Sequence, residues 1–221
     1  MKLVLFDCDG TLVDSVGLIH EVMARTFEAF DRPRPTTEAT KAIIGLTLDI
    51  AIARLLGREH VDDHAVTMTA HYKEIFASVR AEAGFQEQLF PGIAEMLQTL
   101  AARDELLIGA VTGKSRRGLT HISATHGLDK IFFVSRTADD CPSKPHPAMV
   151  MECCAEAGVD TKDTIVIGDA IYDMQMAKAA GADALGVAWG YASVPDLIEA
   201  GADHIAPTPG DIIEWMERNH A

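Results

Sequence analysis

Asp7 and Asp9 stand two residues apart in the stretch Asp7-Cys8-Asp9-Gly10-Thr11, and Gly10 leaves room for close backbone approach. Carboxylates paired in this way suit a phosphate or a metal centre. A second stretch, Thr112-Gly113-Lys114-Ser115, follows an apolar run. It offers a hydroxyl and backbone N–H groups to an anion, much as a helix N-terminus does. A third, Ser143-Lys144-Pro145, fixes one lysine among prolines at 142, 145 and 147. A cation held in this way can neutralise a phosphoryl group. The fourth, Gly168-Asp169-Ala170-Ile171-Tyr172-Asp173, sets two aspartates four apart at a strand-to-helix turn. Such a pair suits a hard cation such as Mg²⁺, which takes oxygen ligands. Each stretch taken alone also fits an ordinary role: an acidic turn, a helix cap, a surface lysine, a pair of first-turn aspartates.

The elements around them decide whether these groups meet. Residues 2–6 form a short apolar run ending at Asp7 and read as a buried strand. Comparable runs recur at 106–111, 131–134, 164–167 and 184–188. Helical patterns over 92–102, 116–126, 147–157 and 174–180 lie between them, and Gly127, Gly158 and Gly181 follow three of these as helix-ending glycines. Alternating strands and helices predict an α/β fold with a doubly wound parallel sheet. Between Ser15 and Gly84 the rhythm breaks, with helices expected over 18–30, 38–44, 48–56 and 63–83 and no strand. This segment is too long for a loop. It reads as a helical cap domain, residues 15–84, inserted in a core domain made of 1–14 plus 85–221, with 84–91 as the return linker. A doubly wound sheet binds its ligands beyond the carboxyl ends of the strands. All four stretches fall there, so together they supply a nucleophilic carboxylate, a second acid, a hydroxyl, a cation and metal ligands.

In this order the four stretches resemble the motifs of the haloacid dehalogenase superfamily of hydrolases: Asp-x-Asp-Gly-Thr, a strand-end Thr, Lys-Pro and Gly-Asp-x-x-x-Asp. The likeness covers nearly the whole chain, the helical insertion included. Residues 7–15 and the run 136–147 point to the phosphoglycolate-phosphatase-like subgroup. The resemblance implies a Rossmann-like sheet of order 5-4-1-2-3, counting the expected strands along the chain. It implies a phosphatase acting on a small phosphorylated metabolite through an aspartyl phosphate. Asp7 is then the nucleophile, and Asp9 the acid that protonates the leaving oxygen and later the base that activates water. Mg²⁺ is bound by Asp7, Asp9 (through its carbonyl), Asp169 and Asp173. Gly10, Thr112, Gly113 and Lys144 hold the phosphoryl oxygens. The cap closes over the ester, and its loop Gly45-Leu46-Thr47 is the candidate substrate contact.

Other readings stay in view. A dehalogenase lacks an acid at the place of Asp9, and a phosphonatase needs a Schiff-base lysine among Lys41 and Lys73, the cap lysines. A sugar phosphomutase of the same superfamily often has a His where Ile19 stands, one residue before His20. A receiver module uses a similar aspartate cluster for signalling, on a much shorter chain without an insertion. Arg116 and Arg117 could meet a substrate carboxylate, although exposed helix positions suit them better. Trp189 and Tyr191 could border the site or belong to the core.

Composition narrows the partners. The chain has 221 residues, a net charge of −14 and 24% charged residues, ordinary for a globular protein. The acidity argues against a nucleic acid or an anionic membrane surface. No stretch approaches the length of a membrane span. The apolar start stops at Asp7, short of a signal peptide. Cys8, Cys141, Cys153 and Cys154 show no disulfide or metal spacing. The expectation is a cytoplasmic monomer or homodimer.

Overall fold

The structure is a computed structural model and describes residues 1–219. The first part of the chain forms β1 (Lys2–Phe6), β2 (Val13–Asp14), α1 (Val16–Ala29), α2 (Thr37–Lys41), α3 (Leu48–Leu55), α4 (Asp63–Arg80) and β3 (Gln88–Leu89). Next come α5 (Ile93–Ala101), β4 (Leu106–Val111), α6 (Arg116–His126), β5 (Val134–Arg136) and α7 (Ala148–Ala157). The chain continues through β6 (Thr164–Gly168), α8 (Ile171–Ala180), β7 (Asp183–Val187), α9 (Val194–Glu199), β8 (His204–Ala206) and α10 (Pro209–Asn219).

Six strands form one parallel sheet in the order β5-β4-β1-β6-β7-β8. Central β1 is apolar from Leu3 to Phe6 because both of its faces are covered there. Leu3 and Leu5 join Val166 on one face, under Met149, Val150 and Cys153 of α7 and Met174 of α8. Val4 and Phe6 join Ile165 and Ile167 on the other, against Met96 and Leu97 of α5 and Ile212 and Met216 of α10. This alternation is the two-residue period of a strand. The result is a doubly wound, Rossmann-like α/β layer with the implied strand order and one further strand, β8.

One expectation needs correction, and one segment gains detail. The third strand is Val134–Arg136, not 131–134. Ile131 and Phe132 instead turn back on Leu128 through backbone hydrogen bonds and pack into the core just past α6, so their apolarity serves a turn. The return linker is not featureless. Val13 pairs with Leu89 and Asp14 with Gln88, making a two-stranded antiparallel ribbon of the two chain passages that flank α1–α4.

Helices α1–α4 share a cluster of their own, in which Leu18, Val22 and Phe27 meet Ile52, Met68 and Tyr72. Asp62 caps α4 by accepting the Ala65 N–H at 2.9 Å. His64 and His71 pack edge-on against Phe30, and His20 contacts Thr40 at 3.0 Å. All four cysteines are buried free thiols. No helix among the described residues is long and apolar enough to cross a membrane.

Candidate active site

β1 and β6 are neighbours in the sheet, so their carboxyl ends deliver Asp7 and Asp169 side by side. The sheet pattern carries on one residue further, with the Asp7 N–H donating to the Ile167 carbonyl at 2.9 Å. Asp173 lies in the first turn of α8 and accepts the Ala170 N–H at 3.0 Å, which both caps the helix and orients the carboxylate. Lys144 reaches in from the loop before α7, with its side chain wholly buried. Its Nζ donates to Asp7 Oδ1 at 2.7 Å and to Asp173 Oδ1 at 2.6 Å. Asp169 is braced by the Thr11 hydroxyl at 3.0 Å and the Tyr191 N–H at 2.8 Å. Gly10 has φ +84°, and a Cβ there would lie 2.2 Å from Asp169 Oδ2, so both turn and contact require glycine.

Ligand oxygens of Asp7, Asp169 and Asp173 all fall within 4.8 Å of one another. Asp7 Oδ2 is buried with no hydrogen-bond partner. Burial pushes the Asp7 carboxyl up to about 7, against the pull of Lys144 and with an added push from Asp173. Asp169 is raised well above the usual carboxylate range, by burial first and then by Asp7 and Asp173. For Lys144, burial works to lower the ammonium, but Asp173 and Asp7 outweigh it and hold the group above its ordinary value. Three carboxylates thus share a dry pocket with one ammonium. A hard cation with oxygen ligands fits this donor set: it would meet the orphaned oxygen and oppose the burial that raises the proton affinity of Asp7 and Asp169.

Asp9 belongs to a second ionic cluster. Lys114 Nζ lies 2.7 Å from Asp9 Oδ1 and 2.7 Å from Glu87 Oε1. The Ser15 hydroxyl donates to the same Asp9 oxygen. Burial would lower the Lys114 ammonium, yet Asp9 and Glu87 together raise it well above its ordinary value. Sequence reasoning passed over Lys114, Glu87 and Ser15. Lys114 carried a faint signal, two residues past Thr112 at a strand end. Glu87 carried none, as a polar residue between glutamines in a linker.

Thr112 is fully buried; its N–H donates to the Arg136 carbonyl at 3.0 Å, and its hydroxyl accepts the Lys114 N–H at 3.2 Å. A Cβ on Gly113 would lie 2.7 Å from the carbonyl oxygens of both Gly45 and Leu46. The loop Gly45-Leu46-Thr47 therefore lies directly on the strand end that carries Thr112. Thr47 N–H donates to Ser143 Oγ at 2.9 Å, next to Lys144. Tyr172 adds a further link between the sheet domain and the helices, donating to the Ala42 carbonyl at 3.0 Å and accepting from Arg54 at 2.7 Å. A cleft of about 760 Å³ opens beside Asp169 and Tyr191, walled by Glu38 and Lys41 of α2 and by Asp196 and Glu199 of α9.

Two arginines stand apart from this site. Arg116 pairs with Asp140 and Ser135, and Arg117 is exposed. Trp189 and Tyr191 act as braces: the indole N–H donates to the Thr11 carbonyl at 3.0 Å, and the Tyr191 hydroxyl accepts the Ser15 and Val16 N–H groups.

Residues 4–187 match the family model of the haloacid dehalogenase-like hydrolases. The chain belongs to that family of enzymes. Among its relatives is the probable phosphatase IndB of Dickeya dadantii, 30% identical over 96% of this chain and 91% of that protein. A phosphoglycolate phosphatase of Vibrio parahaemolyticus is 27% identical over 97% of this chain and 95% of its own length. A hydrolase from Pseudomonas syringae has a similar fold, with a TM-score of 0.86 at 24% identity and full coverage of both chains.

Proposed function

We propose that this hydrolase is a Mg²⁺-dependent phosphatase that cleaves a small phosphomonoester of the phosphoglycolate type through a phosphoryl group carried on Asp7. The observation that carries the reading is the setting of Asp7. One of its oxygens is held by Lys144 and the other is buried without a partner, in a cluster with Asp169 and Asp173, while Asp9 two residues on is anchored separately. The phosphatase names of the relatives support the same reading.

Asp7 attacks phosphorus, forming an O–P bond as the ester oxygen leaves with a proton from Asp9. Asp9 then takes a proton from water as that water attacks the aspartyl phosphate, releasing orthophosphate and restoring the Asp7 carboxylate. A carboxylate approaching a phosphate faces like-charge repulsion, about 4 kcal/mol per unit-charge pair at about 4 Å and an effective dielectric of about 20. Lys144 offsets part of that, with Gly10, Thr112 and Gly113 lining the phosphoryl pocket. Mg²⁺, held by Asp7, Asp169, Asp173 and the Asp9 carbonyl, would supply the remaining charge neutralisation when bound. Residues 15–84 act as the cap on a core of 1–14 plus 85–221, and the loop Gly45-Leu46-Thr47 faces the leaving group. Closure of such a lid excludes water from the reacting centre.

The test is orthophosphate release from small phosphomonoesters, 2-phosphoglycolate among them, with Mg²⁺ and with chelator. Release that depends on Mg²⁺ is the expected result. Undiminished release in chelator overturns the metal assignment. An isomerised sugar phosphate without orthophosphate overturns hydrolysis in favour of a mutase.

A further inference from the structure

The nucleophile is held by Lys144 beside Asp173, whereas Asp9 is held by a chain of contacts that ends on the linker returning from the four helices. Asp9 stands just past β1, Lys114 just past β4, and Glu87 on the return passage from the four helices. A lysine ammonium is a point charge on a flexible stem. Gripped by one carboxylate, it keeps much of its freedom; gripped by two from different elements, it is fixed. The Lys114 side chain is 8% exposed and that of Glu87 4%, so the pair is shielded from solvent. The backbone at Glu87 is pinned as well, because His126 at the end of α6 contacts its carbonyl oxygen at 2.8 Å.

Behind Glu87 lies a cleft of about 470 Å³, walled by Arg80 and Ala81 from the end of α4 and by His121 and Thr125 of α6. One wall belongs to the helices and the other to the sheet domain. A shift of the helices against the sheet domain would alter this space, and Glu87 is the carboxylate that borders it.

Building on the phosphatase reading above, we infer that Glu87 is a positioning residue for the acid–base step, fixing Asp9 through Lys114 and tying that carboxylate to the placement of the cap. An acid matters for an ester whose leaving oxygen is strongly basic and matters little for one whose leaving group departs as a stable anion. A positioning role for Glu87 thus predicts a dependence on the leaving group that a merely structural role would not produce.

The experiment compares kcat/KM on 2-phosphoglycolate with kcat/KM on 4-nitrophenyl phosphate, since this constant covers the steps up to loss of the leaving group. General acid catalysis contributes about 10²–10⁴-fold, so misplacing the acid in Glu87→Ala should lower kcat/KM on 2-phosphoglycolate by at least about tenfold and on the aryl ester by less than about threefold. Glu87→Gln keeps an acceptor for Lys114 and should recover most of the loss. Equal losses on the two esters, or no loss on either, overturn the inference. Should Glu87→Ala melt below the assay temperature, Lys114→Met is assayed on the same pair with the same expected asymmetry and the same overturning result. Failure of the wild-type protein to release phosphate from either ester sinks the phosphatase reading itself, an outcome distinct from equal losses in the variant.

Discussion

Two buried lysines each bridge two carboxylates at this site, and they do so from different foundations. Lys144, from the loop before α7, joins Asp7 to Asp173 with Asp169 close by, and these carboxylates hang from the ends of sheet strands or the helix that follows. Lys114 joins Asp9 to Glu87, and Glu87 arrives from the passage that returns from α4. The first cluster has three carboxylates for one ammonium and so lacks positive charge. The second has two for one and contains its own anchors. On the proposed reading, the first cluster is the seat for a cation and a phosphoryl group, and the second holds the proton donor from two directions.

The largest effect that sharpens this contrast comes from the carboxylates themselves. Asp7→Asn should drop turnover by on the order of 10⁴-fold or more on every ester, since no other group can carry the phosphoryl. Asp9→Asn should cost about 10²–10⁴-fold on alkyl esters and much less in kcat/KM on aryl esters. Steady-state kinetics on the two ester types check both, and similar leaving-group profiles for the two variants would break the division of labour.

Next come the lysines. Lys144→Met strands carboxylates in a dry interior and should destabilise the fold by about 3–5 kcal/mol, a fall of roughly 10 °C in Tm for a chain of this size. Mg²⁺ should restore part of that. Lys114→Met should cost less, about 1–3 kcal/mol, because it leaves two carboxylates unpaired rather than a cluster of three. Thermal melts with and without Mg²⁺ measure both, and an equal loss in the two variants would erase the distinction.

A smaller effect concerns pH. The Asp7 carboxyl has an ordinary value of 3.8 and rises to about 7 in the folded, metal-free site. The native state therefore holds a proton that the unfolded chain gives up. The stability from this group is complete below about pH 4 and is lost as pH climbs through about 7. In chelator, the wild type should lose more stability between about pH 5 and about pH 7.5 than Asp7→Asn does, and Mg²⁺ should flatten the difference. Parallel melting curves for the two proteins would refute this.

Much of the architecture could be read from the chain because it rests on local signals. The strand that ends at Asp7 is an unbroken apolar run, and α6 begins and ends at the residues its pattern marks. The misplacement of β5 has a physical cause. Residues 131–133 are as apolar as a strand, but Ile131 and Phe132 pack into a turn and Phe133 stays exposed, and nothing local distinguishes the two uses. β8 escaped because three residues at a sheet edge, two half-buried and one buried, are too few to show a periodicity. The aspartates and Lys144 were legible from residue type and spacing at strand ends. Glu87 was not, because its role exists only through contact with Lys114, 27 residues further along.

The ribbon of Val13–Asp14 against Gln88–Leu89 has one more consequence. Two separate tethers would let the helical segment wander in several directions, whereas two strands bonded side by side behave as a single stiff strap. A strap bends readily about one axis and resists the rest. Asp9, bridged to Val13, and Glu87, next to Gln88, sit at its two roots. On the proposed reading, a swing of the helices would reach Asp9 along this strap as one displacement rather than several.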